Sequence, residues 1–151
     1  MNKFMHRLPE DIIDYIIPYT YELQNKQLLC DIKNYKETKD LVLELYYNLW
    51  IIYMEEDEPE DKYWLINNII AHINSYKATM YGYVENFYNI FRRNQYLQTY
   101  EDINNYVSIL ETKPVDTQIN IIWALLTPKE RYDIINEFKE TTQNLTIALH
   151  L

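Results

Sequence analysis

The stretch INIIWALLTPKERYDIINEF, residues 119–138, decides the fold class. Ile119, Ile122, Trp123 and Leu126 recur at the three- and four-residue spacing of one helical face, and Ile134, Ile135 and Phe138 resume that spacing further on. Between the two runs, Thr127-Pro128-Lys129-Glu130 joins an N-cap threonine, a proline at the first helical position and a glutamate three residues after the cap. Threonine and glutamate can then satisfy two free backbone N–H groups reciprocally. The stretch predicts two amphipathic helices with a sharp stop and restart between them.

Outward from this point the same period continues. Towards the N-terminus it runs through Ile103, Tyr106, Val107 and Leu110, through Tyr83, Val84, Phe87 and Phe91, and through Leu65, Ile69, Ile73 and Tyr76. Further back lie Leu41, Val42, Leu45, Leu49 and Ile52, then Leu28, Leu29 and Ile32, then Ile12, Ile13, Ile16 and Ile17. Thr99 with Asp102 predicts another helix start, and Asp116 or Thr117 is the expected cap of the helix before Thr127. Pro9 followed by Glu10-Asp11 places negative charge at the start of a first helix, which Pro18 ends or kinks near Ile17.

The expectation is a compact all-α bundle of seven or eight helices with an extended C-terminal tail. The tail carries Leu145, Ile147, Leu149 and Leu151 at every second position, which is a strand period. Such a tail packs over its own helices or adds to a sheet edge of another molecule. Glu55-Glu56-Asp57-Glu58-Pro59-Glu60-Asp61 is the strong charge run of the chain. It separates residues 7–54 from a helical region, 62–151, expected to pack on them as one continuous domain. Lacking alternate-position ligands and the turn glycine, the run fails as a calcium loop and reads as a solvated acidic loop.

Composition narrows function mainly by exclusion. The chain has 151 residues, 48% of them hydrophobic and 16 of them tyrosine, with a formal net charge of −9. That charge repels a phosphate backbone or an anionic bilayer, so neither a nucleic-acid nor a membrane partner is expected. Its apolar runs fall far short of the roughly 20 residues that cross a bilayer, so an intracellular location is expected. A single glycine, Gly82, rules out the phosphate-cradling GxxxxGK[ST] loop, the GxGxxG turn and the GxSxG elbow.

One cysteine, Cys30, leaves no internal disulfide and no multi-cysteine metal site. It follows Leu28-Leu29 and is expected to be a small buried apolar residue. His6, His72 and His150 are widely separated. His72, inside an apolar helix, is read as a hydrogen-bonded structural histidine. Asp133 and Glu137 pair one turn apart, but with Lys129 they read as a solvated charge ladder rather than as acid and base. No catalytic residue, cofactor or metal is expected.

Leu8-Pro9-Glu10-Asp11-Ile12-Ile13, then Ile16-Ile17, then Leu28-Leu29 resembles the F-box, a short helical motif opening on Leu-Pro. The resemblance implies that residues 7–54 are an F-box-like segment docking on a Skp1-type adaptor of a cullin ubiquitin ligase. Leu8, Pro9, Ile12, Ile16, Ile17, Leu28 and Leu29 would form the partner-binding surface, and the rest of the chain would hold a target. The Val-Cys-basic-x-Trp run usual later in the motif is replaced here by Asp31-Ile32-Lys33-Asn34-Tyr35. The same N-terminal string, with the Ile-, Asn-, Tyr- and Lys-rich composition of an A+T-rich genome, also looks like proteins of large nucleocytoplasmic DNA viruses.

Two readings of function stand. One is a non-enzymatic, F-box-like interaction module of viral origin, acting in the host cytoplasm or nucleus. The other is a virion structural protein, a minor capsid or cement protein bound to capsid proteins, with tyrosines as interface material and the tail donated to a neighbour. An enzyme is a distant third, because no histidine clusters with carboxylates along the sequence.

Overall fold

Among the described residues the first buried positions, Thr38, Val42 and Tyr46, are spaced four apart and define the inward stripe of a long helix. The computed structural model describes residues 25–53 and 62–149, with side chains over 25–49 and 62–148. Helix α1 is Lys26–Tyr53, α2 is Tyr63–Ile73, α3 is Glu85–Phe91, α4 is Tyr100–Leu110, α5 is Val115–Leu125 and α6 is Pro128–Leu149. A 3-10 turn, Thr79–Tyr81, lies between α2 and α3. The described residues contain no strand, and the all-α expectation holds. They hold six helices, and the seven or eight expected include one over residues 9–17, outside the described residues.

Helix α1 merges two of the expected apolar runs. The Leu28–Ile32 and Leu41–Ile52 sets lie on one 28-residue helix, because no proline or glycine interrupts them. Asn25 opens it, its side-chain oxygen accepting from the Gln27 N–H at 2.9 Å. The expected helix at residues 9–17, Pro18 and the acidic run 55–61 lie outside the described residues.

The chain divides into two units, Met1–Ile32 and Lys33–Leu151. Within the second, Val42 and Tyr46 of α1 join Leu65, Ile66, Ile69 and Ile73 of α2 and Phe87, Ile90 and Phe91 of α3 in one core. Ile103, Val107 and Leu110 of α4, Ile119, Ile122 and Trp123 of α5, and Ile134 and Ile135 of α6 complete it. Helix α2 packs on α5 and α3 on α4, and Tyr83 stacks on Phe87 with ring centroids 4.0 Å apart.

The restart at Thr127 forms as the sequence predicts. The Thr127 N–H donates to Glu130 Oε2 at 2.8 Å and the Glu130 N–H to Thr127 Oγ1 at 3.3 Å. Two arginines reinforce this elbow. Arg131, fully buried, donates from Nε to the Trp123 carbonyl at 3.1 Å and from Nη1 to Asn34 Oδ1 at 2.9 Å, with Nη2 3.5 Å from the Ala124 carbonyl. Arg93 reaches the Leu125 carbonyl at 2.8 Å and forms a two-pronged pair with Glu130 at 2.7 and 2.8 Å. Both cations therefore sit at the negative end of α5.

Thr99 also caps as expected, accepting from the Asp102 N–H at 3.1 Å. Asp116 and Thr117 do not cap α5. Its N-cap is Pro114, with no side-chain cap, because the proline fixes a pre-helical backbone one residue ahead of Val115. Asp116 lies in the first turn and pairs instead with Lys62 at 2.5 Å.

The expected extended tail is corrected as well. Residues 145–149 continue α6. Thr142 and Thr146 donate to the Phe138 and Thr142 carbonyls four residues back, so their hydroxyls are satisfied within the helix. A period-2 pattern over so few residues yields to the helix already propagating into it.

Candidate functional site

Of the seven residues that the F-box resemblance assigns to a partner surface, Leu8, Pro9, Ile12, Ile16 and Ile17 lie outside the described residues. Leu28 and Leu29 are in the first turns of α1 and are 50% and 48% exposed, joined one turn on by Ile32 at 51%. Cys30 between them is exposed too, which corrects its expected burial. Every residue from Asn25 to Cys30 is exposed, and the first fully buried side chain of α1 is Thr38.

A second candidate forms where α2 ends. Asn74, fully buried, caps the helix. The Ser75 N–H then bonds the His72 carbonyl at 3.1 Å and the Tyr76 N–H the Ala71 carbonyl at 2.7 Å, the paired bonds of a Schellman ending. Such an ending wants glycine in the left-handed region, yet Ser75 and Tyr76 hold φ of 53° and 59°. A bulky side chain there costs on the order of 1 kcal/mol and persists only when its surroundings over-determine it.

What over-determines Tyr76 is Glu137, on α6. The Tyr76 hydroxyl donates to Glu137 Oε1, and His72 Nδ1 lies 2.7 Å from Glu137 Oε2. A carboxylate only accepts, so His72 Nδ1 carries the proton of that bond. The rings of His72 and Tyr76 meet edge to face, 6.1 Å apart. Burial of the Tyr76 hydroxyl, its hydrogen bond to Glu137 and the carboxylate's charge push the phenol up to about 12.

These three side chains border a surface pocket of about 160 Å³. Leu49, Ile134 and Phe138 give it apolar walls, and Asn68 and Thr141 add polar ones.

His72 is thus hydrogen-bonded, as expected. Glu137 is not part of a solvated ladder with Asp133, although Lys129 does pair with Asp133 at 2.9 Å. The one advance signal was the helical register that places Glu137 next to Phe138. Its partners are 65 and 61 residues away in sequence, beyond the reach of local pattern.

Among the described residues, no group of three or more His, Cys, Asp or Glu side chains is placed to hold a metal ion, and no helix is long and apolar enough to cross a membrane. In comparison with known proteins, the chain matches no family model, no curated protein and no solved structure.

Proposed function

We infer that this protein is a non-enzymatic protein–protein interaction module. Its N-terminal segment, residues 7–54, docks on a Skp1-type adaptor in the manner of an F-box, and the helices from residue 62 onward hold a target. The reading includes a viral origin and action in the host cytoplasm or nucleus, supported by the A+T-rich composition.

The observation that carries it is the exposure of Leu28, Leu29 and Ile32 on the opening turns of α1. A soluble chain gains roughly 1 kcal/mol for each such half-exposed side chain that a partner covers. Replacing Leu28 and Leu29 together by aspartate tests it. Helical circular dichroism is expected to survive, since both residues are half exposed, while capture of a purified Skp1-type adaptor is lost. A native chain that captures no such adaptor overturns the reading.

A second reading, a virion component bound to capsid proteins, draws on the last turns of α6, where Leu145 and Ile147 are 39% and 61% exposed. Deleting residues 145–151 would then abolish co-sedimentation with capsid shells while leaving the monomer folded.

A further inference from the structure

The pocket beside Glu137 has a composition that selects one class of ligand. Its acidic wall is the Glu137 carboxylate, with 46% of that side chain exposed, beside the His72 ring bonded to it, and neither lysine nor arginine lines the pocket. Two aromatic side chains, Tyr76 and Phe138, line the pocket together with that carboxylate, and Leu49 and Ile134 supply aliphatic surface. An anion paired with aromatic faces attracts a cation, through charge and through the ring quadrupoles together.

The donors already on Glu137, Tyr76 and His72, hold one lone pair on each oxygen and leave the remaining pairs as acceptors. The protein's net charge of −9 biases encounter in the same direction. A volume of about 160 Å³ matches the cavity of about 150 Å³ that accommodates a benzene-sized group, so a short alkyl stem fits beside the charge. The left-handed backbone at Tyr76 is the cost of holding its hydroxyl on Glu137, which fixes the carboxylate in the pocket wall.

We propose that the Glu137–Tyr76–Phe138 pocket is a binding site for an alkylammonium group. This goes beyond the adaptor reading and does not depend on it. Two sources carry that chemistry: a free small amine, or the lysine side chain of a protein partner.

The test is a titration of the ¹⁵N-labelled full-length chain with n-butylammonium chloride, followed by amide shifts. Saturable shifts at Asn68, His72, Tyr76 and Glu137 are expected, with a dissociation constant on the order of 1 mM for so small a probe. The isosteric n-butanol, and the anion butyrate, are expected to bind several-fold more weakly.

Glu137→Gln should weaken butylammonium about fivefold, the upper range for one exposed charge pair. Because Glu137→Gln also touches His72 and Tyr76, a second variant keeps the test independent of that cluster. Asn68→Asp, at an exposed wall position, should tighten binding two- to fivefold. Absence of saturable shifts at the pocket, equal binding of butanol, or indifference to both variants overturns the proposal. Lysine with both its α-amine and its carboxyl blocked as amides separates the sources. Binding at least as tight as butylammonium assigns the site to a partner's lysine, and weaker binding assigns it to a free amine.

Discussion

The Asn74 side chain bonds both ends of the connection between α2 and α3. From a fully buried side chain, its Nδ2 donates to the Lys77 carbonyl at 2.7 Å and its Oδ1 accepts the Val84 N–H at 2.8 Å, both bonds part-buried. Among the described residues no other side chain bonds either backbone group, so truncation leaves a donor and an acceptor without their protein partner. Asn74→Ala is therefore expected to cost about 2–3 kcal/mol in urea denaturation, with Asn74→Asp little better because a carboxylate cannot donate to Lys77. None of this was legible in the sequence. Asn-Ser-Tyr carries no glycine to announce a left-handed helix ending, and the bonds that compensate reach ten residues from Asn74 to Val84 and 61 from Tyr76 to Glu137.

At the scale of the element, the best-read feature was the start of α6, because a capping box lies within four consecutive residues and needs no tertiary information. Its energetics are tertiary all the same. The Arg93 guanidinium bonded to Glu130, with the Thr127 N–H, holds the Glu130 carboxyl at about 2, below its ordinary value of 4.5. A carboxylate whose folded pKa is depressed contributes stability that is fully present above about pH 4.5 and is lost as pH falls through about 2. The urea midpoint of the native chain is expected to fall across that window, and Glu130→Gln to flatten the fall while lowering stability at pH 7. Equal slopes for the two proteins would remove Glu130 from the acid response. The C-terminal end of α6 differs from the expected tail for the complementary reason: the alternation is a local pattern, and over residues 145–149 the helix entering it prevails.

Across the whole molecule, Trp123 ties the first helix to the fifth. It is fully buried, and its Nε1–H donates to Thr38 Oγ1 at 3.1 Å, 85 residues away. Thr38 passes the bond on to the Asn34 carbonyl at 2.6 Å. Trp123→Ala is expected to cost about 3–5 kcal/mol, a large share of the 5–15 kcal/mol typical of a domain. Trp123→Phe and Thr38→Val, measured singly and together by urea denaturation, should couple by about 1 kcal/mol, and strict additivity would mean that the bond contributes nothing. The sequence by itself determined the helical class, the core-facing stripes of α2 to α6 and the caps at Thr99 and Thr127, because period and capping are written in residues within one or two turns of each other. Only the tertiary structure decided that Leu28, Leu29 and Cys30 stand exposed, that Arg131 is buried on the carbonyls of α5, and that His72, Tyr76 and Glu137 share one pocket. Those outcomes depend on which helix faces meet across tens of residues, and a one-dimensional pattern holds no distances between its distant parts.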